Sequence, residues 1–272
     1  MIKAGVIGHP ISHSKSPLIH GYWLKQYGID GEYKTYDIAP EELESGVRGL
    51  VDAGLVGFNV TLPHKQNIMP LCKTVSDEAR LIGAVNTITV LKNGDLHGHN
   101  TDAFGFAQNL KETVPDFKWD GATATVIGAG GAARAILYAL YQNGITDIRI
   151  TNRTRESAEN LGAAYSAKIV DWDDRNSSLV GSDLIINTTS LGMKGQSPLD
   201  INLKGIHKNT VVYDIVYAPL MTDLLQQAEQ QGARIVTGIG MLLHQARPGF
   251  EAWFGHFPDV TPELEEIILG IN

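Results

Sequence analysis

Seven polar residues in the first 102 positions have the types and placement to handle a hydroxylated small molecule: Ser14, Ser16, Asn59, Thr61, Lys65, Asn86 and Asp102. They stand in four short stretches, "SHSKS", "NVTLPHK", "GAVNT" and "GHNTDAFG", each beside a run that reads as a β-strand. Ser, Thr and Asn offer neutral donors and acceptors to ring hydroxyls. A lysine can hold a carboxylate, or exchange a proton with a reacting oxygen where its surroundings lower its pKa. Each residue also has a plainer reading. Ser16 before Pro17 is a good helix N-cap, Thr101 or Asp102 could cap the helix that follows, and a lone Lys65 would be a solvated charge. Their joint occurrence at strand ends argues for a site, because ligands of open α/β sheets bind beyond the carboxyl ends of the strands.

A second group lies in "TVIGAGGAARAIL", where Gly128, Gly130 and Ala133 fill the small positions of a G-x-G-x-x-A loop between a strand and a helix. The first glycine permits the tight turn, the second lets a pyrophosphate approach the backbone, and the alanine lets helix and strand pack closely. The helix N-terminus then turns unpaired N–H groups towards the phosphates. The strand, loop, helix and next strand all fit a dinucleotide site. An NAD site would place Asp or Glu at the end of that next strand. Here the stretch is "ITNRT", so Asn152, Arg153 and Thr154 stand there instead. A guanidinium can pair with a 2′-phosphate that a carboxylate would repel, which favours NADP. The plainer reading of Arg153 is a solvated strand-end charge.

The elements that must position these groups follow from hydrophobic periodicity. "KAGVIG", "EYKTYDI" and "VGFNVT" read as strands, and "SPLIHGYWLKQYG" and "PEELESGVRGLVDAG" as helices. A helix is expected over 65–71 and another before Gly83. "AVNTITVLKNGDLHGHNTD" reads as a hairpin, with Asn93-Gly94 as a two-residue turn. From residue 121 strands and helices alternate regularly, which implies parallel strands joined by helical crossovers. "GMLLHQARPGFEAWFG" and "TPELEEIILG" are helical. The expectation is an α/β chain of two lobes. Residues 1–102, completed by C-terminal helices at 240–272, form a substrate-binding lobe, and residues 103–239 a Rossmann-type lobe. The ring substrate is expected to lie against the nicotinamide between them.

Composition limits the partners. With 22 Lys and Arg against 30 Asp and Glu, the net charge of −8 argues against nucleic acid or an anionic membrane as the main partner. The 43% hydrophobic fraction supports an ordinary core, and no apolar run approaches the ~20 residues that span a bilayer. Cys72 is the only cysteine, so no internal disulfide can form; with no signal-like N-terminal region, a cytoplasmic location is expected. No metal site is expected from the nine His residues. The partner expected is a small molecule, with a homodimer left open.

The whole chain resembles the shikimate dehydrogenase family, through "GHPISHSKSP", "GFNVTLPHK", "GAVNT", "NTDAFGF", "GAGGAARA", "TNRT", "INTTSLGM", "YDIVYAP" and "GIGMLLHQARPGFEAWFG". The resemblance implies reduction of 3-dehydroshikimate to shikimate with NADPH, in aromatic amino-acid biosynthesis. It implies that Lys65 and Asp102 form the catalytic pair and that Ser14 and Ser16 bind the substrate carboxylate. Asn59, Thr61, Asn86, Tyr217 and Gln245 would line the ring. On the cofactor side it implies Gly128, Ala129, Gly130, Gly131 and Ala132 at the pyrophosphate, and Asn152, Arg153 and Thr154 at the adenosine phosphate. Thr188, Ile215, Gly238 and Met241 would lie near the ribose or nicotinamide, and Asp77 near the cofactor. Many NADP-using members carry a second basic residue three positions beyond the Thr of "NRT". Ser157 stands there, with Arg155 the nearest substitute. The rival readings are an NAD-linked dehydrogenase of quinate or of an aminated shikimate, a non-catalytic sensor of this fold, and a folate-linked dehydrogenase of similar shape.

Overall fold

A computed structural model describes residues 1–271 and divides the chain into two compact units, Met1–Asp102 with the segment from Leu243 onward, and Ala103–Leu242. In the first unit the chain runs β1 (Ile2–Gly8), α1 (Ser16–Gln26), β2 (Gly31–Asp37), α2 (Leu43–Asp52) and β3 (Gly57–Val60). It continues through β4 (Thr74–Val75), α3 (Asp77–Ile82), β5 (Thr87–Val90) and β6 (Leu96–His99), and leaves the unit at the start of α4 (Asp102–Thr113). The six strands lie in the order β2-β1-β3-β5-β6-β4. β1 pairs parallel with β2 and β3, while β5 runs antiparallel to both β3 and β6.

Alternation along β3 decides what each face of this sheet holds. Phe58 and Val60 point into an aliphatic core with Ile7, Val47, Leu50 and Ile88. Gly57 and Asn59 point the other way. On that face His20 stacks on Tyr33 with ring centroids 3.9 Å apart, and Trp23, Phe250 and Trp253 close round them. The register sets Asn59 opposite Thr87, and Thr87 opposite His99, so polar side chains meet in a row across three strands.

The second unit runs β7 (Thr123–Ile127), α5 (Gly131–Gln142), β8 (Asp147–Thr151), α6 (Arg155–Gly162), β9 (Lys168–Val170) and α7 (Arg175–Ser178). Then come β10 (Leu184–Asn187), β11 (Val211–Asp214), α8 (Asp223–Gln230) and β12 (Arg234–Val236), before the chain enters α9 (Gly238–Phe254) and ends in α10 (Pro262–Leu269). All six strands are parallel, in the order β12-β11-β10-β7-β8-β9. Read from β9, this is the 3-2-1-4-5-6 order of a doubly wound dinucleotide fold. Its core combines Ile127, Ile185, Val212, Leu224 and Leu225. No helix among the described residues is long and apolar enough to cross a membrane.

Three local expectations are corrected. Ser16 is not the cap of α1: it is the first helical residue, and its amide donates to Ser14 Oγ at 3.3 Å. Residues 65–71 form turns with only a 3-10 turn at Met69–Leu71, because the backbone here serves other elements: Val85 N donates to Lys65 O at 2.7 Å. The hairpin turn has three residues, since Leu91 N reaches Asp95 O at 2.8 Å, and Gly94 takes the left-handed position at φ 84°.

α9 brings Trp253 over Gly57 of β3 and onto the backbone of β5, where its indole N–H donates to Ile88 O at 2.9 Å. A Cβ on Gly57 would lie 2.0 Å from that indole nitrogen and 2.3 Å from Ile88 O. Gly57→Ala is therefore expected to destabilise this unit by roughly 2–4 kcal/mol, read as a fall in Tm and in urea midpoint, because neither backbone nor a locked indole can give way.

Candidate active site

In the first unit four of the seven predicted polar residues, Asn59, Lys65, Asn86 and Asp102, share one hydrogen-bond network. Lys65 Nζ donates to Asp102 Oδ2 at 2.6 Å, with side-chain exposures of 22% and 9%. Lys65 is held by the turn that leaves β3. Next to it, buried His64 donates its Nε2–H to Ile38 O at 2.7 Å, and the Lys65 carbonyl takes the Val85 amide. Asp102 starts α4, and its amide donates to Asn100 Oδ1 while Asn100 Nδ2 donates to Ala84 O, both at 3.0 Å.

Asn86 joins the parts. Its Nδ2 donates to Asp102 Oδ1 at 2.8 Å and to Thr101 Oγ1 at 3.0 Å, with Gln245 Oε1 at 3.5 Å. Its Oδ1 accepts from Thr101 N at 2.9 Å and from the Thr87 hydroxyl at 2.8 Å. Thr101 Oγ1 donates to Gln245 O at 2.7 Å, tying α9 to the same knot. Asn59 accepts from the Tyr33 hydroxyl at 2.6 Å, and its Nδ2 donates to Asn86 O and Thr87 Oγ1, both at 3.3 Å. Thr61 is half-buried at the end of the same strand. Asn59 and Asn86 thus have their amides engaged inside the protein. The Lys65 ammonium, by contrast, keeps hydrogens beyond the one given to Asp102.

In the second unit Gly128 adopts φ +106°, and a Cβ there would lie 2.6 Å from Thr188 Oγ1. The loop is stitched down on both sides: Gly128 N donates to Thr151 O at 2.8 Å, and Thr188 donates both its amide and its hydroxyl to Ile127 O, each at 2.8 Å. Beyond it, a Cβ on Gly130 or Gly131 would meet nothing within 4 Å, and no side chain caps the start of α5. Ala133 is fully buried. An open glycine cradle under uncapped helix amides fits the pyrophosphate of a dinucleotide. At the end of β8, Asn152 Nδ2 donates to Thr154 O at 2.9 Å, and Arg153 is exposed. Arg155 is ion-paired with Glu159 at 2.7 Å and with Asp171, so its charge is already matched within α6 and the loop after β9.

The chain matches the family described as shikimate dehydrogenase substrate binding domain over residues 6–88, and that described as shikimate / quinate 5-dehydrogenase over residues 109–194. It is 51% identical to the shikimate dehydrogenase (NADP(+)) of Paramagnetospirillum magneticum, over 98% of both chains. The chain belongs to the shikimate dehydrogenase family. Among solved structures, it is similar to the shikimate 5-dehydrogenase of Thermus thermophilus in complex with NADP(H) and shikimate, with a TM-score of 0.88, 32% identity and coverage of 100% and 99%. It is also similar to the quinate dehydrogenase of Corynebacterium glutamicum in complex with NAD, with a TM-score of 0.91, 29% identity and 99% coverage of each chain.

In this member of the shikimate dehydrogenase family, several positions that hold the network together were not singled out in the sequence. Thr87 and Asn100 carry links of the network; they lie in the polar stretches "GAVNT" and "GHNTDAFG" without having been singled out, and Thr101 was weighed only as a cap. Asp214 ends β11 fully buried. It accepts from Asn187 Nδ2 at 2.9 Å, Thr222 Oγ1 at 2.7 Å and Val216 N at 3.0 Å, and burial pushes its carboxyl up to about 6. It thereby fixes the loops that carry Thr188, Ile215 and Tyr217. Gly238 packs against Ile215, where a Cβ would lie 2.3 Å from the carbonyl, and Met241 is buried one turn on. Asp77 lies in the first unit at the start of α3, 93% exposed and paired with Arg80 at 2.8 Å.

Two predictions follow from this geometry. Gly128→Ala combines a strained φ with a clash on Thr188, and is expected to weaken NADP binding at least about tenfold by titration calorimetry, since the loop must shift from the phosphates. The second concerns Glu78, whose carboxylate lies 3.8 Å from His99 Nε2, while His99 Nδ1 meets Ser76 Oγ at 2.8 Å. Burial pushes Glu78 up from 4.5 to about 7. The folded state therefore holds this proton more tightly than the unfolded state. Its contribution to stability is full below about pH 4.5 and is lost as pH rises to about 7. Glu78→Gln should leave stability unchanged near pH 4.5 and raise it at pH 8 by roughly 1–2 kcal/mol, measured by urea unfolding at both pH values.

Proposed function

We propose that Lys65 and Asp102 are the proton-transfer pair of an enzyme that interconverts 3-dehydroshikimate and shikimate with NADP(H). The observation that carries this reading is the 2.6 Å ion pair, whose ammonium is partly open while its carboxylate is nearly closed off. The relatives' names supply the substrate and cofactor; the site supplies the means. When bound, NADPH supplies the hydride to the carbonyl carbon. The Lys65 ammonium stabilises the negative charge that develops on the carbonyl oxygen and gives that oxygen a proton. In the reverse direction, the lysine takes the proton from the hydroxyl. Asp102 orients the ammonium and can accept from a neighbouring ring hydroxyl. Ser14 and Ser16, beside the start of α1, would hold the substrate carboxylate, with Thr61, Tyr217 and Gln245 at the ring.

Gly128 to Ala132 would hold the pyrophosphate. Arg153 would meet the 2′-phosphate, assisted by Asn152 and Thr154, and Thr188, Ile215, Gly238 and Met241 would lie towards the nicotinamide end. With Arg155 matched to two carboxylates, Arg153 is the guanidinium left for that phosphate. A cytoplasmic setting is supported by the lone Cys72, whose thiol burial pushes up to about 11, leaving it protonated and unreactive.

The test is an initial-rate comparison of shikimate and quinate, each with NADP and NAD, on the parent and on Lys65→Ala. The expected result is preference for shikimate with NADP, and a fall in kcat of about 10²–10⁴-fold in the variant with little change in substrate affinity. Preference for quinate with NAD would overturn the substrate and cofactor reading, and parental turnover in Lys65→Ala would overturn the pair.

A further inference from the structure

Tyr33 belongs to no stretch that reads as a ligand site, yet its hydroxyl begins a chain of hydrogen bonds that ends on the catalytic pair. The links run from Tyr33 Oη to Asn59 Oδ1 at 2.6 Å, from Asn59 Nδ2 to Thr87 Oγ1 at 3.3 Å, and from Thr87 Oγ1 to Asn86 Oδ1 at 2.8 Å. The chain then passes from Asn86 Nδ2 to Asp102 Oδ1 at 2.8 Å, and Asp102 Oδ2 faces Lys65 Nζ.

The direction of every link is fixed by a neighbour that can play only one role. Asn59 also reaches Asn86 O, and a carbonyl can only accept, so the amide nitrogen of Asn59 lies on that side and its oxygen faces the phenol. Thr101 N can only donate, so the oxygen of Asn86 lies towards Thr101 and its nitrogen towards Asp102. Burial pushes the Tyr33 phenol well above its usual range, against a smaller opposing pull from the Ser16 hydroxyl, so it stays a donor. All links therefore point from the phenol to the carboxylate, the arrangement in which each bond polarises the next.

Packing alone does not call for the hydroxyl. The Tyr33 ring is held by the stacked His20, at 3.9 Å and 2° between planes, and by Trp253 at 6.0 Å. Ala4 and Gly57, the residues across the sheet from Tyr33, are small enough to leave its path to Asn59 clear. Phenylalanine would fill the same space.

We propose that the Tyr33 hydroxyl is a positioning group for the catalytic pair: it holds Asn59 in one orientation and, through Thr87 and Asn86, aims an amide hydrogen at Asp102. This rests on the reading of Lys65 and Asp102 as the proton-transfer pair. Tyr33→Phe keeps the stacked ring and removes the first link together with the hydroxyl's contact to Ser16. Thr87→Val cuts the middle link, and Thr87→Ser keeps it.

On the full-length chain, kcat should fall about fivefold to tenfold in Tyr33→Phe, the scale of one weakened bond to a charged group. KM for NADP should stay within about twofold, because the dinucleotide is held elsewhere; the Tyr33 hydroxyl also meets the Ser16 hydroxyl, so KM for shikimate is read in Thr87→Val, where it should stay within about twofold. Thr87→Val should match it, Thr87→Ser should restore parental kcat, and the Tyr33→Phe/Thr87→Val double variant should be no slower than Thr87→Val alone. Parental kcat in Tyr33→Phe, a loss carried by KM instead in Thr87→Val, or losses in kcat that multiply in the double variant would overturn the proposal. Should Tyr33→Phe lack a cooperative thermal transition, the Thr87 variants decide: loss with Val and recovery with Ser supports it, and equal kcat in both overturns it. An inactive Lys65→Ala beside a fully active Tyr33→Phe removes this proposal alone. Parental turnover in Lys65→Ala removes the pair and this proposal with it.

Discussion

An ammonium and a carboxylate can stay ionised at low exposure only where the remaining lone pairs and hydrogens find partners, and that requirement organises the N-terminal unit. Taking two charges out of water costs several kcal/mol per ion in real proteins, about what an ideal contact returns. The Lys65–Asp102 contact alone would be a poor reason to bury Asp102. Asn86, held by Thr87 and Thr101, supplies the second oxygen of Asp102 with its donor, and Asn100 fixes the backbone from which Asp102 projects. The antiparallel turn-back of β5 and β6 on β3 is what makes this feasible. It sets Asn59, Thr87 and His99 in one row, so a polar layer forms on the face that also carries the aromatic cluster. A purely parallel sheet, with helices covering both faces, would leave no such end for Asn86 and Asp102 to share.

The second unit solves the opposite problem, since its site must stay open. Parallel strands bring the C-terminal ends of β7 and β10 side by side, the point where chain order reverses, and the loop after β7 must turn there without side chains. Gly128 meets two demands at once, a left-handed backbone and the nearness of Thr188. Gly130 and Gly131 meet neither; the space beside them is open, which a phosphate needs and a packed core does not. Asp214 closes the arrangement from below by accepting three hydrogen bonds in the loops after β10 and β11. Its raised carboxyl pKa reflects the cost of that burial, which the three donors offset only in part.

What was legible in the sequence follows from this division. The parallel sheet and its glycine loop were readable because local periodicity and one short motif specify them: "TVIGAGGAARAIL" carries strand, turn, helix and packing position in sequence order. The Lys65 and Asp102 stretches were conspicuous as polar residues at strand ends, but their 2.6 Å contact joins positions 37 residues apart and depends on tertiary register. Periodicity misread residues 65–71 as a helix because backbone hydrogen bonding there is claimed by Val85, a constraint from another strand. Ser16 was misjudged as a cap for a similar reason, since the Ser14 hydroxyl reaches its amide from two residues back. Tyr33 carried no signal at all, and Thr87 and Asn100 stood in polar stretches without being singled out. Each looks like an ordinary residue of its element, and only the sheet register gives it a polar neighbour.

The same accounting of donors sharpens the view of specificity. A residue whose amide is saturated within the protein can shape a site but has little left to offer a ligand, and Asn59, fully engaged with Tyr33, Asn86 and Thr87, is in that position. In the proposed reading, recognition of the ring then falls to groups with hydrogens or lone pairs to spare: the Lys65 ammonium, the Ser14 hydroxyl beyond its bond to the Ser16 amide, and the Thr61 hydroxyl. A buried group made to bond one ring hydroxyl rejects a ring lacking it far more strongly than an apolar wall rejects one extra hydroxyl. Exclusion of quinate, which adds a hydroxyl, therefore cannot come from these donors. It must come from the shape of the wall around the extra group, so the residues that separate the two ring acids need not be polar.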